Sequence, residues 1–291
     1  MSQAEIGGVL TAMATPFDED GAVDHAGAAR LAVHLLENGS DGLVVAGSTG
    51  EAATLDDDEQ IDLLRAVRAE VGEETLLICG SGTNDTRHSI NLTRRADEAG
   101  ADAMLVVTPY YNKPNRAGMR AHVAAIAAST EKPILLYNIP SRTVINVPPE
   151  DLAALAEIEN VVGVKQANDA ELGAIEGLNV LAGNDNVFLR CLELGGTGGI
   201  LVASHLVGPQ MAEIRDLFEA GEHERAREAE ERLLPLYDAL SVTTNPMPLK
   251  AALEMVGLCS ERMRLPMVPL DDGQRAVVRA ALERLELIPV G

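Results

Sequence analysis

Eight short apolar runs recur along this chain, each followed by a stretch of polar or helical pattern. They are "VLTAMAT" (9–15), "GLVVAG" (42–47), "LLICGS" (76–81), "AMLVVT" (103–108), "ILLYN" (134–138), "VVGVKQ" (161–166), "VLAGN" (180–184) and "GILVA" (199–203). Most are apolar at nearly every position rather than at every second one. A strand with one wet face alternates; a strand buried on both faces does not. The segments between them read as helices. In "AARLAVHLLENG" the apolar positions 31, 35 and 36 share a face, and Gly39 ends the helix. "DDDEQIDLLRAVRAEVG" opens on acids that suit the positive end of the helix dipole and closes on a glycine. "RHSINLTRRADEAG" ends the same way.

Eight β units alternating with helices predict an α/β fold, a (β/α)8 TIM barrel. A doubly wound open sheet needs fewer strands and a Gly-rich dinucleotide turn, and "GGTGG" (195–199) lacks that spacing. It reads instead as a flexible approach to the last strand. After residue 222 the strand signal stops, and three helical segments follow with no low-complexity linker. The expected division is therefore a catalytic barrel over 1–222 and a three-helix C-terminal extension over 223–291, packed on the barrel.

Charge narrows the function. The chain carries 45 acidic against 23 basic residues, a net −22. Such a surface repels nucleic acid and anionic membranes, so neither is expected as a partner. No apolar run approaches the length of a membrane span, and the N-terminus has no basic or apolar leader pattern. Cys79, Cys191 and Cys259 are scattered and odd in number, which fits reduced thiols of a cytoplasmic protein. Lysine occurs only at 113, 132, 165 and 250, with three Phe, four Tyr and no Trp. This composition is expected of a halophilic protein, where salt screens the self-repulsion.

That scarcity gives weight to Lys165, at the end of the sixth run. In a barrel, chemistry sits where strands end, and here the ends are "GSTGE" (47–51), "TPYYNKP" (108–114), "YNIPSRT" (137–143), Lys165 and "AGND" (182–185). A lysine at a strand end most often snorkels to the surface. A desolvated one loses its proton more easily, and the neutral amine attacks a ketone to give a Schiff base. Tyr137, on the neighbouring strand, either packs in the core or shuttles a proton to that amine. Thr49 is placed to hydrogen-bond the phenol, although the same turn also suits a helix cap. Arg142 follows Pro140 and offers a forked guanidinium for a carboxylate. There is no HExxH, no Cys/His cluster, no GxSxG elbow and no Walker loop, so no metal or cofactor site is expected.

Taken in order, "TPF", "GSTGE", "TPYYNKP", "YNIPSRT", "GVK", "AGND" and "NPMPLK" resemble the dihydrodipicolinate synthase / N-acetylneuraminate lyase superfamily over nearly the whole chain. The Ser-Arg pair of "YNIPSRT" makes the synthases the most similar branch. The resemblance implies that Lys165 forms an imine with pyruvate and that Tyr137, Thr49 and Tyr111 relay protons, Tyr111 reaching in from a neighbouring subunit. It places Ser48 where the family usually has threonine, and assigns Arg142 to the carboxylate of aspartate semialdehyde. Ile200 is implied to lie near pyruvate, its backbone helping to hold the carboxylate. It also implies a homotetramer built from tight dimers and a product in lysine (diaminopimelate) biosynthesis. A 2-keto-3-deoxy-gluconate-type class I aldolase would share Lys165, Tyr137 and the "GSTGE" turn, but would not need Arg142. A non-catalytic ligand-sensing barrel would be expected to have lost the lysine or the tyrosine. Many of these synthases are inhibited by lysine in a pocket beside the "TPYY" tyrosines. Ala53, Asn84 and Tyr110 match that pocket; His88 replaces its glutamate, and Asp57 and Gln60 stand where histidines are frequent. Weak or absent inhibition is expected.

Overall fold

The computed structural model describes residues 6–290. Strands β1 (Gly8–Ala12), β2 (Gly42–Val45), β3 (Leu76–Gly80), β4 (Ala103–Val107), β5 (Ile134–Asn138), β6 (Val161–Gln166), β7 (Asn179–Ala182) and β8 (Gly198–Leu201) pair in sequence order, and β8 returns to β1. Every pairing is parallel, so the sheet is a closed barrel with no edge. The expected (β/α)8 architecture is the observed one.

Two cores explain why the strand runs are continuously apolar. Leu10, Val44, Ile78, Leu105, Leu135, Leu181 and Ile200 fill the barrel interior. Their neighbours Val9, Leu43, Val45, Leu77, Met104 and Leu136 point outward, into a second core under the helices. Period-two alternation persists, but both faces are dry.

The helices are α1 (His25–Glu37), α2 (Asp57–Val71), α3 (Thr86–Glu98), α4 (Arg116–Ala127), α5 (Pro140–Thr143), α6 (Pro149–Leu155), α7 (Phe188–Glu193), α8 (Ser204–Glu219), α9 (His223–Leu240), α10 (Met247–Met255) and α11 (Asp272–Arg284). Helix α1 buries Leu31 and Leu35 but not the half-buried Leu36. Each fully buried leucine contributes about 1.5–3 kcal/mol. The acids opening α2 form a capping box: Asp56 accepts from the Glu59 N–H, and Glu59 accepts from the Asp56 N–H.

The alternation fails once. Between β6 and β7 there is no α-helix, only a single 3-10 turn at 169–171 and a short bridge. That link is 12 residues long, with Gly173 and Gly177 inside it, too short and too glycine-rich for a packed helix. The three C-terminal helices form as expected. Helix α9 lies against α7 and α8, and Leu233, Leu236, Leu249 and Leu282 join the same outer core as the barrel helices. Among the described residues no helix is long and apolar enough to cross a membrane, and no group of three or more His, Cys, Asp or Glu could hold a metal ion.

Candidate active site

A cavity of about 380 Å3 opens at the C-terminal ends of the strands. Ser48, Thr49, Tyr137, Arg142 and Lys165 line it together, joined by Asn184, Asp185, Val202, Tyr237, Ser241 and Asn245.

Lys165 reaches the cavity because of a defect in its strand. Ile134 of β5 pairs with Val161, but the next residue, Leu135, pairs with Gly163. The extra residue, Val162, is a bulge that shifts the phase of β6 by one position. Without it Lys165 would follow Val161 outward, under the helices; with it Lys165 sits level with the inward-facing Tyr137. Gly163 makes the bulge possible, since a Cβ there would lie 2.6 Å from a Leu135 methyl and 2.8 Å from the Asn179 carbonyl.

The Lys165 ammonium lies 4.6 Å from the centre of the Tyr137 ring. Only 5% of the residue is exposed. Burial pulls its pKa from 10.5 down to about 8; Asp185 opposes the shift and Arg142 adds to it. Keeping this amine charged therefore costs about 3 kcal/mol. Burial pushes the Tyr137 phenol up to about 12, against the pull of Arg142 and a hydrogen bond with Ser48. The phenol thus keeps its proton at neutral pH. Asp185 accepts from the Val202 and Ala203 N–H groups at 2.8 and 3.0 Å, which fixes it beside the amine. Its carboxyl is raised by burial, with those two N–H groups and Lys165 acting the other way.

Some expectations change in detail. Tyr137 hydrogen-bonds with Ser48, not Thr49; the Thr49 hydroxyl instead accepts from Asn245 Nδ2 at 2.9 Å. Ile200 is fully buried in the barrel interior beneath the cavity, and Val202 takes the lining position. Tyr111 lies outside the cavity, 88% exposed on the loop after β4 with a left-handed φ of 71°. Arg142 is exposed at the rim and donates to the Asn245 carbonyl at 2.8 Å. A second cavity of about 440 Å3 adjoins the first, and Ala53, Asp57, Gln60, His88 and Tyr110 line it while Asn84 does not.

This arrangement pairs a lowered-pKa amine with a protonated phenol in a closed barrel. The model of the dihydrodipicolinate synthetase family matches residues 5–285. The chain belongs to that family. It is 45% identical to the 4-hydroxy-tetrahydrodipicolinate synthase of Synechococcus sp. (strain JA-2-3B'a(2-13)), over 97% of this chain and 94% of that one. It is 43% identical to the enzyme of that name from Moorella thermoacetica, over 97% and 99%. Among solved structures, dihydrodipicolinate synthase from Thermotoga maritima matches at a TM-score of 0.94 with 37% identity, covering 98% of this chain and all of that one (100%). The synthase from Cyanidioschyzon merolae with lysine bound matches at 0.94 with 38% identity, over 97% and 99%.

The "AGND" strand end marks Asp185 in the sequence but assigns it no role, and nothing local marks Tyr237, Ser241 and Asn245 as cavity walls. Tyr237 reads in the sequence as one more residue of an amphipathic helix. The side chain of Asn245 meets Thr49 across 196 positions of chain, a contact without local signal.

Proposed function

We infer that the chain is a 4-hydroxy-tetrahydrodipicolinate synthase, a lyase that joins pyruvate to L-aspartate-4-semialdehyde. The observation that carries the reading is the buried, easily deprotonated Lys165 level with Tyr137 in a cavity that Arg142 rims. The neutral amine attacks the ketone of pyruvate, and loss of water leaves an imine. Loss of a methyl proton gives the enamine, whose carbon attacks the aldehyde. Tyr137 supplies the proton that the new alkoxide takes up and is recharged through Ser48, the hydroxyl it hydrogen-bonds. The amino group of the adduct then adds to the imine carbon and expels Lys165, closing the ring. Arg142 holds the aldehyde's carboxylate by charge-assisted hydrogen bonds. In this reading residues 1–222 carry the chemistry, and the 223–291 extension supplies one wall of the pocket.

A substrate panel tests the assignment. Turnover with pyruvate and aspartate semialdehyde, and none in cleavage of keto-deoxy-gluconate, is the expected result; the reverse pattern makes the protein a sugar-acid aldolase.

We further propose a cytoplasmic homotetramer built from tight dimers. An 88% exposed Tyr111 in a left-handed backbone fits a residue that completes a neighbour's site. A sedimentation mass of one chain would reject this. The net charge of −22 with four lysines supports work in high salt, so the melting temperature should rise as KCl enters the molar range. A flat or falling melt would count against it.

Feedback by lysine should be weak. The acids lining the second cavity are Glu51 and Asp57; Glu51 lies against the Lys250 ammonium, and Asp57 already accepts from His88 Nε2 at 2.7 Å and lies 3.8 Å from Arg95. A bound ammonium needs a carboxylate that is not already committed. Half-inhibition should need more than about 1 mM lysine; a lower value in an initial-rate titration would overturn the expectation.

A further inference from the structure

Two of the four lysines are internal, and the reaction uses one. The other, Lys250, is fully buried. Its ammonium lies 2.9 Å from Glu51 Oε1, donates to the Arg262 carbonyl at 2.6 Å, and sits 4.3 Å over the Phe17 ring. Glu51 is the last residue of the "GSTGE" turn and holds a left-handed φ of 56°, a conformation that a residue with a Cβ adopts only under constraint. The constraint is visible. Glu51 Oε2 accepts from the Arg264 N–H at 3.1 Å. The Arg264 guanidinium forks onto Glu59 at 2.6 Å and also donates to the Thr54 and Gly21 carbonyls. Five residues before Lys250, Asn245 Nδ2 donates to the Thr49 hydroxyl. The segment 245–264 therefore grips the turn twice, at Thr49 and at Glu51.

We propose that Lys250 and Glu51 are a positioning pair for the reaction, holding the turn so that Ser48 presents its hydroxyl to Tyr137 while Thr49 stays gripped by Asn245. Neither residue lines the reacting cavity, so the pair acts through the turn's backbone. The left-handed Glu51 makes that backbone sensitive to the pair. Glycine would hold φ = 56° unaided, whereas glutamate relaxes once its carboxylate is released. The inference rests on the proposed synthase reading, in which the Ser48 hydroxyl serves the Tyr137 proton.

A fastening role alone would also tie the C-terminal segment to the barrel, so the test must separate stability from rate. Lys250→Met leaves Glu51 buried and unpaired, and should lower the melting temperature sharply. The double variant Glu51→Gln/Lys250→Met removes both charges, and neutral replacement of a buried pair commonly restores stability. It should melt near the wild type and trap pyruvate on Lys165 with borohydride to full stoichiometry. Its kcat should still fall at least tenfold, with KM for pyruvate unchanged. Asn245→Ala, which touches neither charge, should lower kcat from the other grip. Adding it to the double variant should cost less than the product of the two losses, because both act on one turn. A double variant that regains kcat along with its melting temperature overturns the proposal. So does an Asn245→Ala variant with unchanged kcat, and that arm decides if the double variant proves unstable. A wild type that traps pyruvate but is idle with aspartate semialdehyde overturns the synthase reading instead; the grip is then read with whichever aldehyde it turns over.

Discussion

Lys165→Ala should lose synthase activity by on the order of 10^3-fold or more, about 4 kcal/mol of barrel-derived catalysis. Pyruvate with borohydride should leave no adduct on it, whereas the wild type should carry one adduct per chain, on Lys165. A bulge at Val162 turns the lysine inward, the barrel interior desolvates it, and burial brings its pKa to about 8. Alanine keeps the bulge, Gly163 and the register, so the loss reads the amine and not the fold. The pH dependence follows in sign. Below pH 8 the ammonium form dominates and cannot attack, so the trapping rate should climb about tenfold per pH unit and level off above pH 8. A rate flat from pH 6 to 9, or a Lys165→Ala protein of near-full activity, would remove the imine from the mechanism.

The barrel was legible because its strands are buried on both faces, and that leaves continuous apolar runs at regular intervals. Lys165 and Tyr137 were legible as strand-end residues for the same reason. The bulge that aims Lys165 was not, since "VVGVK" read with plain alternation points the lysine to the outer core. Nor was the missing helix between β6 and β7, where Leu172 and Ile175 are apolar but stand in a link too short to fold back as one. The contribution of the C-terminal extension to the pocket was the least legible of all. Asn245 and Tyr237 line the cavity from segments that no local pattern ties to the barrel, and Asn245 takes the Thr49 hydroxyl while Tyr137 bonds to Ser48. Tyr111 stands apart from these: its proposed role comes from the family resemblance, and within one chain it lies exposed outside the cavity.

Arg142→Ala should separate the two substrates. Its guanidinium stands at the rim, anchored by the Asn245 carbonyl, with its remaining N–H groups directed to neither Lys165 nor Tyr137 by any hydrogen bond. Charge-assisted hydrogen bonds to a carboxylate are worth about 1.5–3 kcal/mol at such a site, so kcat/KM for aspartate semialdehyde should drop by about 10- to 150-fold. Imine formation with pyruvate should change far less, and in a direction the electrostatics fix. Arg142 lowers the Lys165 pKa, so its removal lets the lysine hold its proton slightly more tightly. Trapping at pH 7 should therefore slow modestly and recover fully above pH 9, while the loss toward the aldehyde persists at every pH. A variant in which both substrates suffer equally, or in which raising the pH restores the aldehyde as well, would reduce Arg142 to a field effect on Lys165. The sugar-acid aldolase would then regain its standing, because Arg142 is the residue that separates the two readings.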